Sequence, residues 1–567
     1  MPVILTGFLR FLAAITSKAD DKVAVHLHNR LSFAGKKGKA DNSNNTGDPM
    51  TVSSSVAAAP ANQPQFLGHP VGLYVCFLTE MWERFSFYGM KYLLLLYLTK
   101  YHLFSDAGGL DVLGSYAGLV YAMPVIGGML ADRYLGMRKA VTFGAILLCM
   151  GHLGLAYEGF QAYVQDGVVV QDTGAIQVFY FSLALIIMGV GFLKPNISTI
   201  VGQLYGKEDA RRDSGFTIFY MGINLGSFIA TITVTYLGET YGWGYGFGLA
   251  GIGMVLGLIV FLTGQKYLFG YAEPADPAKL KEKVFAGINR EWLIYLATLP
   301  ALAIVWQLVQ YNPVVHSTLL GMSFIVLVGI IWFITTQCTR EERDRMIVLI
   351  VLTMSTVVFW ALFEQSASSM TLYADRVMDR TVLGYEATAG QFGSLNAFFI
   401  ITLAPLFAWL WIALAKRNLE PSTPVKFALG IIQAGLGFGA LVVGAMFPNE
   451  AGYVAAWWMI LAYALHTMGE LCLSPVGLSA VTKLAVPKVV GVMMGAWFLA
   501  TAYSELLATQ LAKLAAIDVP AGEVVEVSTA LAGYTELFTF LCYVGVGVGV
   551  FMLLISPWLK KRMHGVH

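Results

Sequence analysis

The chain has 567 residues, of which 57% are hydrophobic and 13% are charged, whereas a soluble domain is usually about 25% charged. This composition excludes a series of ordinary soluble domains and predicts an all-α protein with many membrane spans. The formal net charge of +1 gives no sign of a nucleic-acid partner.

Residues 1–68 differ from the rest of the chain, because they are polar, low in complexity and rich in Ser, Asn, Ala and Lys. The apolar patch at their start contains Arg10 and lacks a cleavage site of small residues, so we expect no signal peptide. Met50 is a second candidate for the start of translation. We interpret 1–68 as a disordered or misannotated extension and assign it no function.

Fourteen stretches are apolar over the roughly 20 residues that a helix needs to cross the hydrocarbon core. The longest must tilt or project beyond the bilayer. The predicted spans are 70–98, 113–134, 138–160, 177–204, 214–236, 244–269, 291–311, 317–337, 345–365, 391–414, 424–447, 453–482, 489–515 and 532–557.

The distribution of Lys and Arg predicts the orientation of these spans. The loops after spans two, four, six, eight, ten and twelve are basic, as is the segment after span fourteen. The alternate loops are mostly acidic, except for a mixed loop that contains Asp375, Arg376, Asp379 and Arg380. By the positive-inside rule, both termini are expected in the cytoplasm.

The loop between spans two and three, GGMLADRYLGMRK at 127–139, resembles a loop of the major facilitator superfamily. Its glycines permit close helix approach, and Asp132 with its basic neighbours can clamp adjacent helix ends. The resemblance implies two six-helix bundles around a site near the middle of the membrane. The predicted units are 1–68, an N-terminal bundle at 69–270, a linker with an inserted helix hairpin at 271–340, and a C-terminal bundle with its tail at 341–567.

Ionisable residues inside the predicted spans are the strongest functional signal. Each costs about 3 kcal/mol on insertion scales, so these residues must face a protein interior or a wet cavity and find partners. Four acidic residues face three basic ones, and the spare acid suggests a proton. The set is Glu80, Glu83, Arg84, Lys91, Lys194, Glu364 and Glu470.

Helical spacing places Glu80, Arg84, Tyr88 and Lys91 on one stripe of the first span, with Glu83 beside it. In the fourth span, the helix-breaking Pro195 directly follows Lys194, which is tolerated where protein or water supplies backbone partners.

His466 and Glu470 share a helix face, but no third ligand at a suitable spacing accompanies them, so a metal site is rejected. The five cysteines fall singly without CxxC pairs, and we expect neither metal nor cofactor. The cysteines are Cys76, Cys149, Cys338, Cys472 and Cys542.

Several stretches, in the same order along the chain, resemble the proton-dependent oligopeptide transporter family, also called the POT or PTR2 family. The short loop at 447–453 favours a bacterial-type member of that family. The similarity extends from about residue 70 to residue 560. The matching stretches are EMWERFSFYG at 80–89, GFLKP at 191–195 with GQLY at 202–205, FYMGINLGS at 219–227, FWALFEQ at 359–365 and ELCLSPVG at 470–477.

The resemblance implies a proton-coupled symporter that imports di- and tripeptides by alternating access, and not an enzyme. It implies that Arg84 and Lys194 receive the carboxylate of the peptide, and that Glu470, with Asn224 and Asn396, receives its ammonium group. The remaining substrate contacts that it implies are Tyr88, Tyr121, Ser474, Trp360 and Trp497.

Proton coupling is expected at the same charges. We hypothesise that Glu364 and the pair Glu80 and Glu83, beside Arg84, carry the proton. Two ion pairs are predicted to act as gates between the bundles: Lys91 with Glu364, and Lys194 with Glu470.

Three departures from the family pattern bear on these roles. Position 87 is Phe where a second Tyr is frequent, and Asn396 is followed by Ala397 where a proline is more usual. Lys91 stands where many members have Arg, so its bond to Glu364 cannot be bidentate.

Other functions remain open from sequence: a proton-coupled drug antiporter, a nitrate or other anion carrier, a peptide receptor, and a membrane enzyme such as an intramembrane protease. The protease lacks any recognisable nucleophile or metal spacing. The expected partners are small peptides, protons and the lipid bilayer, with no nucleic acid. We expect a monomer in the cell (inner) membrane.

Overall fold

A computed structural model describes residues 63–206, 209–285, 287–517 and 525–566. Most of the predicted extension at 1–68 lies outside the described residues. Fourteen long helices cover the described chain, in the order of the predicted spans. We number them α1 to α14: Val71–Lys100, Asp106–Leu130, Met137–Gly154, Thr173–Gln203, Arg212–Tyr241, Trp243–Gly264, Arg290–Gln310, Asn312–Gln337, Arg340–Phe363, Ser394–Lys416, Thr423–Gly444, Trp457–Leu484, Val490–Ala512 and Val527–Arg562.

Twelve helices of the described chain are long and apolar enough to cross a membrane. The two long helices outside that set are α1, which carries charged residues along its length, and the shorter α3, which has Arg138 and Lys139 in its first turn. The fourteen helices therefore agree in number and order with the predicted spans, and the charge of α1 marks it as unusual.

Short elements connect the helices. The short helical segments are the π-helix Ala131–Leu135, the α-helices Pro277–Lys281 and Ser369–Arg376, and the 3-10 turns Gln265–Leu268, Glu364–Ala367, Gly390–Gly393, Pro487–Val489 and Lys513–Ala515. Five two-stranded sheets pair Gln65–Phe66 with His69–Pro70, Tyr163–Gln165 with Val168–Val170, Lys283–Phe285 with Ile288–Asn289, Thr381–Val382 with Tyr385–Glu386, and, in parallel, Met378–Asp379 with Val454–Ala455.

We call α1 to α6 the first six-helix group and α9 to α14 the second. Helix α1 lies inside the first group, where it packs against α5 and α6. The run Leu93–Leu98 is buried completely, although its composition resembles that of a lipid-facing segment. A helix that is apolar on every side is typical of a central position. Its charged residues are therefore surrounded by protein, as their cost in lipid requires.

Helices α2 and α4 approach closely at Gly127. Pro195 has no N–H to offer to the carbonyl of Gly191, four residues before it. A Cβ on Gly127 would lie 2.0 Å from that carbonyl oxygen. The glycine therefore lets the backbone of α2 pack against the carbonyl that the proline leaves without its helical donor.

Helices α7 and α8 form a hairpin that packs on α4 through α7 and on α2 and α13 through α8. Asn312, at the start of α8, donates to the carbonyl of Asp111 at 3.0 Å and accepts from Gln510 on α13 at 3.3 Å. Large side chains such as Phe324 and Ile325 are exposed along it. The hairpin thus touches both six-helix groups.

Several ion pairs between the two six-helix groups lie on the side of the molecule where α1 ends and α2 begins. We call this side the α1–α2 side. Asp106 accepts from both terminal nitrogens of Arg376 at 2.6 Å each, and Lys100 lies 2.7 Å from Asp375. Lys513 also pairs with Asp111 there. The mixed loop of the sequence thus supplies Asp375 and Arg376 to contacts between the groups.

On the opposite side, where α2 ends and α3 begins, the ion pairs of the described residues stay within one group or join it to the linker and hairpin. Arg138 binds Glu273 through two hydrogen bonds, which hold the pKa of the Glu273 carboxyl below its usual range. Lys139 lies 2.6 Å from Glu291 of α7. Asp132 makes no ion pair among the described residues, and its basic neighbours Arg138 and Lys139 supply the contacts of the predicted clamp.

Candidate functional site

The first cluster of the site surrounds Arg84 in the middle of α1. Its Nε and Nη2 atoms donate to the two carboxylate oxygens of Glu83, with 2.6 Å between Nη2 and Oε1. The guanidinium carbon lies 4.7 Å from the centre of the Phe87 ring. All these groups come from one helix, so this cluster forms as soon as α1 forms in its buried position.

Glu80 and Glu83 have unequal partners. Glu80 lies one turn before Arg84, with 3.5 Å between its Oε1 and the Nε of Arg84. Its other oxygen, Oε2, is buried and has no hydrogen-bond partner among the described residues. An unpartnered buried carboxylate oxygen is costly, so Glu80 is the better candidate of the two for holding a proton.

The second cluster surrounds Lys91, two turns further along α1. Its ammonium nitrogen lies 2.7 Å from Oε2 of Glu364 and 3.1 Å from Oε1 of Glu505. Glu364 follows α9 and Glu505 belongs to α13. The predicted pair of Lys91 and Glu364 is therefore formed, and it joins the two helical groups.

A break in the ninth span positions Glu364. Helix α9 ends at Phe363, and a 3-10 turn leads to the short helix Ser369–Arg376. Polar side chains satisfy the interrupted backbone: Gln365 donates to the carbonyl of Ala508 at 2.8 Å, and Thr371 to that of Ser366 at 2.7 Å. Such side-chain bonds compete with the backbone hydrogen bonds of a helix. Here the helix ends at this point and places Glu364 beside Lys91.

Lys194 on α4 lies near the Arg84 cluster but has a different partner. Its ammonium nitrogen is 4.4 Å from the centre of the Tyr121 ring, a distance suited to a cation–π contact. No ion pair joins it to Glu470 within the described chain. The second predicted gate pair is therefore not formed in this structure.

The third cluster contains Glu470 on α12. Asn396 of α10 donates through Nδ2 to Oε2 of Glu470 at 2.9 Å and to Thr467 at 3.2 Å. The structure thus brings Asn396 and Glu470 together, as the resemblance implies. Asn224 lies on α5, a helix of the first group. This helix faces α10, and the ring centres of Phe228 on α5 and Phe398 on α10 are 6.4 Å apart.

The remaining predicted substrate contacts lie around these clusters. Tyr88 is partly exposed, with the Arg84 guanidinium 5.9 Å from its ring. Trp360 packs against Phe363 at 5.3 Å. Trp497 is buried against Gly477, where a Cβ would lie 2.5 Å from its ring, and Ser474 is partly exposed one turn after Glu470.

Glu505 is the site residue that sequence reasoning missed. It falls within the predicted span at 489–515, so the same search for charges inside apolar stretches could have found it. Including it, five acidic residues face three basic ones in the buried set. Its pairing with Lys91, 414 positions away in sequence, was not predicted.

No cluster of three or more potential metal ligands occurs within the described residues. His466 donates through Nε2 to the carbonyl of Ala434, 3.0 Å away, and packs against Phe438. Its place beside Glu470 in sequence therefore reflects packing of α12 against α11.

The family model described as "POT family" matches residues 138–524 of the chain. This confirms the resemblance predicted from the ordered motifs, and the match extends over more than half of the sequence.

Curated relatives match nearly the whole described chain. "Uncharacterized transporter YclF" of Bacillus subtilis (strain 168) is 39% identical over 89% of this chain and 97% of its own length. "Peptide transporter YePEPT" of Yersinia enterocolitica subsp. palearctica is 38% identical over 78% and 87%. The "Di-/tripeptide transporter" of Lactococcus lactis subsp. lactis is 33% identical over 88% and 98%.

Solved structures share the fold. A variant of the peptide transporter POT in complex with alafosfalin superposes with a TM-score of 0.74 at 36% identity, covering 89% of this chain and 98% of that structure. A POT family transporter in complex with 5-aminolevulinic acid gives a TM-score of 0.73 at 30% identity, covering 88% and 98%. The predicted all-α transporter fold is thereby confirmed.

Proposed function

The chain belongs to the POT family, and we propose that it imports di- and tripeptides together with protons by alternating access. Its relatives and structural neighbours are transporters, so it is a transporter and not an enzyme. The observation that carries the proposal is the separation of opposite buried charges: Arg84 and Lys194 belong to the first helical group, and Glu470 to the second.

A peptide is a zwitterion whose two ends match these charges. Its carboxylate fits Arg84 and Lys194, because Lys194 has no carboxylate partner among the described residues and is held only against Tyr121. Its ammonium group fits Glu470, whose Oε2 is oriented by Asn396. Recognition through the two ends tolerates many side chains, and Trp360 and Trp497 supply apolar walls.

Protons are proposed to bind at Glu80 and Glu364. Glu80 holds a proton while Glu83 keeps the Arg84 guanidinium occupied. When a peptide carboxylate competes for Arg84, the proton on Glu80 keeps the cluster near neutrality. Glu364 is proposed as a second proton-binding site, at the junction between the helical groups.

Alternating access follows from the two sides of the molecule. Ion pairs between the groups close the α1–α2 side, whereas those of the opposite side stay within a group or reach the linker and hairpin. We assign the α1–α2 side to the outside of the cell (inner) membrane, since the basic loops lie opposite. On this assignment we propose an inward-facing state of a monomer, with the hairpin at 271–340 between bundles at 69–270 and 341–567.

The proposal is tested with the full chain in proteoliposomes under an inward proton gradient. We expect accumulation of dialanine, and about tenfold weaker uptake of N-acetyl-dialanine, because a buried charge left without its ionic partner costs about 1.4 kcal/mol or more. Glu470→Gln should lower dialanine uptake and largely remove this preference. Glu536→Gln, an exposed acid on α14, is the matched control and should behave as the unchanged protein.

Absence of dialanine accumulation under the gradient contradicts the proposed function. Accumulation of nitrate or efflux of an organic cation in its place would favour an anion carrier or a drug antiporter. For the proton role of Glu364, Glu364→Gln should lose gradient-driven accumulation while retaining exchange of labelled for unlabelled dialanine. Full accumulation by this variant contradicts that role.

A further inference from the structure

Two carboxylates bind a single buried ammonium group at the junction of the helical groups. Lys91 lies 2.7 Å from Glu364 and within 3.1 and 3.3 Å of the two oxygens of Glu505. The side chain of Glu505 is 4% exposed and that of Glu364 is 13% exposed. The set of Lys91, Glu364 and Glu505, which we call the Lys91 triad, therefore carries one negative charge in excess if both acids are ionised.

No second cation forms an ion pair with Glu364 or Glu505 among the described residues, although Lys194 lies nearby against the ring of Tyr121. Arg84 lies on the same helix but is bound to Glu83, and Glu470 adds a further acid near Glu364. The other titratable groups that face the triad are phenols from three helices: Tyr88 and Tyr92 on α1, Tyr116 and Tyr121 on α2, and Tyr463 on α12. An uncompensated charge at this depth is expensive, and a proton removes it.

Building on the function proposed above, we propose that Glu364 and Glu505 hold one proton between them, and that Lys91 stays bound to whichever carboxylate is ionised. The proton enters at Glu364, the more exposed of the two, and forms the O–H bond of its carboxylic acid. Glu505 then remains as the counter-ion of Lys91, so the ammonium group keeps a partner in both protonation states.

This arrangement differs from a single gate pair. In a pair, a proton on Glu364 leaves Lys91 buried without a counter-ion, and the helical groups must separate at once. In the triad, both carboxylates belong to the second helical group, so this group holds Lys91 before and after protonation. Proton uptake and opening of the junction become separate steps.

The triad also favours the binding of a proton by its pair of carboxylates. Two neighbouring anions repel each other, so removing the charge of Glu505 should weaken proton binding at the triad. The pH dependence of gradient-driven uptake is therefore expected to move to more acidic pH in Glu505→Gln, by about one unit, a tenfold change in proton concentration.

The experiment measures dialanine uptake by the full chain in proteoliposomes across external pH, together with exchange at equal pH. Glu505→Gln should shift the uptake midpoint toward acid and retain exchange. Glu505→Asp should keep a midpoint near that of the unchanged protein. Ser504→Ala, at the adjacent buried position where the hydroxyl bonds only its own helix, is the matched control and should show no shift.

An unchanged midpoint in Glu505→Gln overturns the triad while leaving the proposed function intact, whereas lack of gradient-driven uptake by the unchanged protein contradicts the proposed function itself. If Glu505→Gln fails to fold, infrared difference spectra of Glu364→Gln and the unchanged protein test the triad instead. Glu364→Gln leaves Lys91 with Glu505 alone, so it should lose one band of a buried protonated carboxyl at neutral pH. Spectra that lose no such band overturn the triad.

Discussion

Two buried cations on α1, Arg84 and Lys91, lie two turns apart and are neutralised in opposite ways. Arg84 takes its partners, Glu80 and Glu83, from its own helix. Lys91 takes Glu364 from the end of α9 and Glu505 from α13, both in the second helical group. The first cluster can move as part of one rigid body, whereas the second must be broken or remade when the groups move apart.

The comparison separates two tasks within one helix. Contacts among neighbours in sequence keep their geometry through a rigid-body motion, so the Arg84 cluster suits recognition of a substrate and a proton in every state. Contacts between the groups depend on the state, so the Lys91 triad suits coupling of proton binding to the motion. The variants below are chosen to distinguish these roles.

The largest effect is expected for Arg84→Gln. This change leaves Glu83 and Glu80 buried without a cation, at a cost of about 3–5 kcal/mol, and removes the proposed carboxylate contact. Both gradient-driven uptake and exchange of dialanine should fall by about a hundredfold, with a lower temperature of unfolding in detergent. Arg84→Lys retains the charge without the bidentate bond and should recover stability more than transport.

Lys91→Gln should affect coupling more than exchange. The two carboxylates then remain close together with one proton between them, and the ionic tie between the groups is lost. Gradient-driven accumulation should fall by about tenfold, while exchange falls less. Equal losses of accumulation and exchange in Lys91→Gln and Arg84→Gln would contradict the division of tasks.

A smaller effect is expected at the α1–α2 side. Arg376→Gln removes both bonds to Asp106 and should raise the population that is open on this side by about fivefold, near 1 kcal/mol. The measurement is labelling of Ser366→Cys, a buried position beside Tyr92, by an impermeant thiol reagent. Arg380→Gln, whose ion pairs are longer at 3.8 Å, serves as the control and should leave the labelling rate unchanged.

The smallest effect on transport is expected for Gly127→Ala, which acts inside one helical group. Its methyl group would meet the Gly191 carbonyl at 2.0 Å, and such overpacking costs about 1–3 kcal/mol. The unfolding temperature should fall, while the pH midpoint of uptake stays constant. Gly128→Ala, where the nearest atom would lie 3.4 Å from the added Cβ, should leave the unfolding temperature nearly unchanged. A shifted pH midpoint in Gly127→Ala would show that this packing is coupled to proton binding.

The sequence by itself determined the class of protein, the order of its helices and most of the charged residues that form the site. Apolar length specifies spans because hydrocarbon demands internally bonded helices of about 20 residues. Charges inside those spans must have partners, so Glu80, Arg84, Lys91, Lys194, Glu364 and Glu470 can be selected from their positions in the chain. The pairing of Lys91 with Glu364 was also predicted correctly.

Apart from the pair of Lys91 with Glu364, only the tertiary structure decided which partners meet. It showed Lys91 shared between Glu364 and Glu505, and Lys194 held against Tyr121. It also showed that Arg138, one of the basic neighbours of Asp132, binds the linker through Glu273. Helical periodicity assigns a residue to a face of its own helix, but it carries no information on the rotation of a helix hundreds of residues away. Burial and ion pairing across α1, α9 and α13 depend on that rotation, which the packing of all fourteen helices sets.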